Sequence, residues 1–349
     1  MTTSPRPAGR DVGFDMLRTL ACVMVLLLHA SSQHWYVVAP NDPQWVAMHV
    51  WNTATRSAVS IFFMLSGALF LNAPPPGKKL WTRNIPRLLV TYIVWSLLYG
   101  IDNMTLPGFF ENPLGVIDQA MVGRFHLWFL PAMIGVYLLL PALYAIVHYE
   151  NGWALRPYLW VFGIFGILCG TVAAFDGLLP WAVSIGFAKI VPELCGCCGY
   201  FILGYALTKI DPARLRRWPL IVTFFAAAAV AAAAGVLHSQ RIGVATALLH
   251  GDFTITTFAE AVSLFLLFRT VKTPADSRTA RVFARLSACT LGIYLLHPFV
   301  LEVMLKFGFG TMLCSAWVSV PLVAAVVGLI CLAVTAVLRR IPVVGKWVV

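Results

Sequence analysis

The chain has 349 residues, 60% of them hydrophobic and 11% charged, with a formal net charge of +11. Soluble chains average roughly 45–50% apolar and about 25% charged residues, so this composition excludes a water-soluble domain and implies a polytopic membrane protein. The positive charge then reads first as membrane topology rather than as a nucleic-acid footprint.

Ten apolar segments long enough to cross a bilayer run in chain order at about 16–38, 46–71, 85–101, 127–147, 157–174, 181–207, 218–236, 253–270, 286–305 and 314–338. The expected fold class is all-α, a transmembrane bundle of about ten spans. It forms a single integral-membrane domain over 1–349 with no repeat or attached soluble domain. Pro180 and Pro192 interrupt the 157–207 region.

With the N-terminus placed in the cytoplasm, 20 of the 25 lysines and arginines fall on cytoplasmic segments. Only Arg56, Arg124, Lys189, Arg241 and Lys306 lie on or toward the other side. The positive-inside rule therefore puts both termini in the cytoplasm. The first segment has the outline of a signal peptide, but Asp15 and Arg18 stand directly against its apolar core, which argues for a retained helix. The eight cysteines lie mostly inside apolar runs. The cluster Cys195–Gly199, "CGCCG", lacks the spacing of a zinc pair and a neighbouring His, so it reads as small residues packing helices closely, and no metal is expected.

The first segment, "GFDMLRTLACVMVLLLHASSQ" (Gly13–Gln33), carries two residues that are expensive in lipid. A helix turns about 100° and rises about 1.5 Å per residue, so Arg18 and His29, eleven apart, share one face about 16 Å from each other. Asp15 lies one turn from Arg18 and is placed to pair with it. Taken singly, Arg18 reads as a topology anchor and His29 as a packing histidine. Together on one face they read as a polar stripe directed into the bundle or a wet cavity. An imidazole suits proton abstraction from a hydroxyl near neutral pH, and it also carries acyl groups.

This segment resembles the start of the acyltransferase-3 family of integral membrane acyltransferases, whose first helix has Arg, ten residues, then His. "IFFMLSG" (Ile61–Gly67), "TRNIPRLLVTYIVW" (Thr82–Trp95), "HLWFLPAMIGVYLLLPAL" (His126–Leu143) and "LGIYLLHPF" (Leu291–Phe299) resemble later blocks of the family in order. They are nearest to the subgroup that acetylates bacterial surface glycans. One departure is visible. Many members have two arginines three apart in the third-helix block, whereas Arg83 and Arg87 are four apart, and the usual Pro-Tyr is Thr91–Tyr92.

The resemblance implies a multi-pass protein of the bacterial cytoplasmic membrane. It would move an acyl group, usually acetyl, from cytoplasmic acetyl-CoA to a hydroxyl of a surface or lipid-linked glycan, with membrane lipid as its other partner. Arg18, Arg83 and Arg87 become candidates for the coenzyme A phosphates, because guanidinium forks match phosphate oxygens. His29 becomes the candidate catalytic residue, as general base or as transient acyl carrier. Substrate-side candidates are His126 with Trp128 at the outer end of the fourth segment, Glu193 after Pro192, His297 before Pro298, and Ser66. Each has a structural alternative: an interfacial belt for His126 and Trp128, a carbonyl freed by Pro298 for His297, and close helix packing for Ser66. Glu260 and Glu302 are further acidic residues in apolar surroundings. The competing class is a transporter of a small polar solute, against which the lack of an internal repeat counts.

Overall fold

The computed structural model describes residues 11–103, 112–175, 187–274 and 276–348, with backbone alone at 122 and 187–194. Every regular element among them is helical. In chain order these are α1 (Val12–Ser32), α2 (Pro43–Ala54), α3 (Ala58–Phe70), α4 (Ile85–Asp102), α5 (Gly115–Val122), α6 (Phe129–His148), α7 (Leu155–Val161), α8 (Cys169–Ala173), α9 (Phe187–Thr208), α10 (Arg217–Ile242), α11 (Ile255–Arg269), α12 (Arg278–Lys306), α13 (Ala316–Leu338) and α14 (Pro342–Trp347).

The described parts of all ten expected segments are largely helical, the 157–174 segment through a π-helical stretch at Phe162–Leu168, while 181–186 lie outside the described residues. Eight helical runs among the described residues are long and apolar enough to cross a membrane. α11 has 15 residues, and the described apolar part of α9, Cys195–Thr208, is also shorter than a full span. Two boundaries differ from the sequence reading. α1 stops at Ser32 instead of continuing to 38, because the Ser31 and Ser32 hydroxyls donate back to the Leu28 carbonyl at 2.8 and 2.7 Å. Asn52 Nδ2 donates to both hydroxyls, which fixes α2 against the end of α1. The segment expected at 46–71 is two helices, since helical order lapses at Thr55–Ser57.

α1 is the central element. It packs on α2, α3, α11, α12 and α13. Asp11 caps its start by accepting from the Phe14 amide, and Leu17, Ala21, Met24 and Val25 are buried along it. α12 starts the same way, Ser277 accepting from the Ala280 amide at 3.0 Å. Apolar helices gain no hydrophobic free energy by leaving lipid for one another, so close backbone approach must supply contact. That explains the α3–α9 crossing. A methyl group added at Gly67 would collide with the Phe201 carbonyl, and one added at Gly204 with the Met64 carbonyl. In "LSG", then, Gly67 makes the close contact, while Ser66 beside it stays partly exposed. The "CGCCG" glycines behave similarly, Gly196 lying against the Phe253 ring and Gly199 against Phe162.

Charge separates along the bundle. Arg18 on α1, Arg83 in the π-turn Leu80–Asn84, Arg87 on α4 and Arg339 after α13 gather at one end, called the basic end below. We expect Gly67→Leu to force α3 and α9 apart and destabilise the fold by about 1–3 kcal/mol, the usual cost of overpacking. Thermal unfolding in detergent should show a lowered midpoint, with a smaller drop for Gly67→Ala.

Candidate functional site

α1 and α12 lie side by side in parallel, in one constant register. At the basic end Arg18 Nη1 donates to Ser287 Oγ at 3.1 Å and stands 3.7 Å from Asp15 Oδ1. One turn further, Cys22 Sγ approaches the Thr290 carbonyl at 3.8 Å. Beyond that, His29 stacks on His297, ring centroids 4.9 Å apart and planes 26° from parallel. The residue faces predicted from the helical turn are therefore realised twice, once on each helix.

Pro298 has no amide hydrogen, so the carbonyl of Tyr294 loses its helical donor. His297 Nδ1 lies 2.6 Å from that oxygen. A carbonyl only accepts, so in this arrangement Nδ1 carries the proton and Nε2 is left with a lone pair. His297 is fully buried, and its Nε2 has no hydrogen-bond partner among the described residues.

A third imidazole joins them. His126, in the turn before α6, is 2% exposed. Its ring meets His297 at 5.5 Å, Tyr294 at 5.5 Å and Tyr99 at 5.2 Å. The turn is pinned by the Tyr294 hydroxyl, which donates to the His126 carbonyl, and α4 is pinned by the Tyr99 hydroxyl donating to the Leu295 carbonyl at 2.7 Å. Phe125 closes over His29 at 5.0 Å. Three imidazoles and three aromatic rings thus gather at one place, and His29 keeps partial exposure.

Beyond the histidines lies an ion cluster. Arg124 grips both oxygens of Glu302, at 2.6 and 2.8 Å, and reaches Asp102 at 2.8 Å. Its guanidinium carbon stands 5.3 Å from the centre of the Tyr99 ring. The bidentate fork is the strong form of this contact, and it ties α4 to α12 across the His126 turn.

The chain matches the family described as "Acyltransferase domain" over residues 11–340, nearly its full length. The chain belongs to the acyltransferase-3 family. Among curated proteins it is similar to a serine/alanine racemase of Enterococcus gallinarum, 26% identical over 168 residues. That match covers 45% of this chain and 23% of the racemase. No solved structure matches.

Within this family member the expected site residues divide clearly. His29, His126 and His297 come together. Arg18 stands at the basic end of the same helix as His29. Arg87 is half-buried there, within electrostatic reach of Arg83 and Arg339, and the charges of Arg18 and Arg87 both act on the Tyr137 hydroxyl of α6. Arg83 is exposed. Trp128 is 40% exposed and lies away from the rings that surround His126. The Glu193 side chain lies outside the described residues. Glu302 holds Arg124, and Glu260, 1% exposed, hydrogen-bonds Ser57 at the start of α3.

Sequence reasoning missed Tyr99, Phe125 and Arg124. Arg124 was visible as a positive charge on the wrong side for topology, two residues before His126. That mismatch was the available signal. We expect Tyr294→Phe to free the His126 turn at a cost of about 0.5–1.5 kcal/mol. Hydrogen exchange of residues 124–128, followed by mass spectrometry, should rise in this variant while α1 stays protected.

Proposed function

We propose that this membrane acyltransferase transfers an acetyl group from cytoplasmic acetyl-CoA to a hydroxyl of a cell-surface or lipid-linked glycan, in the manner of the surface-glycan subgroup. The single observation that carries this reading is the α1–α12 pair, with Arg18 and Ser287 at one end and His29 on His297 at the other. The proposed setting is a bacterial cytoplasmic membrane, crossed about ten times with both termini inside.

The donor has two ends of unlike chemistry. Its phosphates match the basic end, where Arg18, Arg83 and Arg87 offer charged donors and Arg339 adds field. Its extended arm then runs along the polar face of α1, about 16 Å at the helical rise, and brings the thioester to His29. At that point His29 takes the proton of the acceptor hydroxyl. The oxygen attacks the thioester carbonyl, the carbon–sulfur bond breaks, and the thiolate of coenzyme A leaves and recovers the proton from the imidazolium. The alternative order, with the acetyl resting on the His29 ring before it passes to the acceptor, uses the same residues. His297, packed flat on His29 and locked by Tyr294, keeps the ring of His29 from turning away.

Replacing His29 with Ala should lower acetyl transfer by about 10²–10⁴-fold, the usual contribution of a positioned acid–base group. Labelled acetyl-CoA and glycan acetylation in membranes from expressing cells supply the measurement. Full activity at normal expression rejects the role of His29. Arg18→Lys keeps the charge and loses the fork, so the KM for acetyl-CoA should rise about tenfold, equivalent to about 1.4 kcal/mol, with little change in kcat.

A further inference from the structure

Arg56 is the fourteenth of the 28 residues in the α2–α3 run, which places it near half depth. It sits in the break Thr55–Ser57, where helical order lapses. Its Nε lies 3.1 Å from Asp252 Oδ1. Asp252 belongs to the non-helical stretch between α10 and α11, and this stretch turns back into the bundle. His250 is 5% exposed, its ring 5.4 Å from His49 and 5.8 Å from Trp35. The Tyr200 hydroxyl donates to the Asp252 carbonyl at 3.1 Å. Leu249 holds a left-handed backbone, φ 58°, and its carbonyl accepts from the hydroxyls of Thr254 and Thr256. The loop is therefore built into place.

An ion pair at this depth is costly in lipid, and non-helical backbone there occurs only where it is buried in protein or lines a watered space. The Arg56 and Asp252 side chains nevertheless keep 29% and 23% exposure. The pair therefore faces an opening and is not sealed in apolar packing. It lies on the side of α1 that carries the candidate base: Asn52, one turn before Arg56, donates to the Leu28 carbonyl at 3.3 Å, next to His29. Arg56 Nε, although 3.1 Å from Asp252 Oδ1, makes no hydrogen bond among the described residues, so the guanidinium has donors to spare. His250 Nδ1, also buried, has no hydrogen-bond partner among the described residues either.

We propose that Arg56 and Asp252 form the acceptor-binding pair, and that they take a neutral saccharide by two neighbouring hydroxyls. The proposal rests on the acyltransferase reading above. A guanidinium only donates and a carboxylate only accepts, so the two side by side match a diol, each hydroxyl of which does both. The pair is electrically balanced, and neither an anionic nor a cationic acceptor gains from it. A sugar held there presents a further hydroxyl toward His29 from the face opposite the donor.

The test uses the purified full chain in nanodiscs, with labelled acetyl-CoA and methyl glycosides of glucose, galactose, mannose, rhamnose and N-acetylglucosamine as probes. Release of coenzyme A without a glycoside reads the donor side alone. Transfer to a glycoside reads both sides. In Arg56→Lys and Asp252→Asn the KM for the accepted glycoside should rise at least about tenfold, while glycoside-independent release stays within about twofold of wild type. If either single variant is not monodisperse, Arg56→Gln combined with Asp252→Asn removes both charges together and is read in the same way. An unchanged glycoside KM overturns the assignment. So does an equal loss of glycoside-independent release, which would put Arg56 on the donor side. Wild-type release of coenzyme A with transfer to none of the five glycosides overturns the saccharide class. No His29-dependent release at all defeats the acyltransferase reading itself, and the pair with it.

Discussion

The register between α1 and α12 is the constraint on which the site depends. Arg18 with Ser287, Cys22 with Thr290 and His29 with His297 are three contacts at almost the same sequence offset. Two parallel helices that meet this way behave as one rigid bar, because a slip of either by one residue would rotate every one of these groups by about 100°. The bar fixes a distance as well as a facing direction. Charged recognition at one end and imidazole chemistry at the other are then held apart by covalent geometry. The packing of α1 on five neighbours keeps the bar from tilting.

Much of this was legible in the chain. The helical turn alone places Arg18 and His29 on one face, and His297 before Pro298 was already a substrate-side candidate. The helices fall where the apolar runs predict them, because length and hydropathy decide membrane insertion. What the sequence hid was depth and pairing. Arg56 read only as a charge on or toward the outer side, since hydropathy averages over the break at Thr55–Ser57. His126 read as a substrate-side candidate paired with Trp128, with an interfacial belt as the structural alternative. In the fold the turn faces inward, and the tryptophan is left on the outside. No periodic pattern announces a non-helical segment that re-enters a bundle, so His250 and Asp252 were invisible as a group.

The polar residues also show how a membrane protein accommodates charge. Three arginines among the described residues are matched locally: Arg18 with Asp15, Arg56 with Asp252, and Arg124 with Asp102 and Glu302. A buried ion pair is weak support for stability, but breaking one is severe because the survivor stays uncompensated. These pairs are better understood as conditions for placing a charge near the histidines than as sources of folding energy.

The Arg124 cluster carries a consequence for how such proteins diverge. Its three members come from α4, the segment before α6, and α12, and both acids depend on Arg124 for a counter-charge. Loss of the arginine alone strands two acids, and loss of one acid leaves the fork half satisfied. Drift at these positions is therefore expected to be concerted. Related chains should inherit Asp102, Arg124 and Glu302 as a set or replace all three, so the trio would serve as a lineage marker far from the basic end of the molecule.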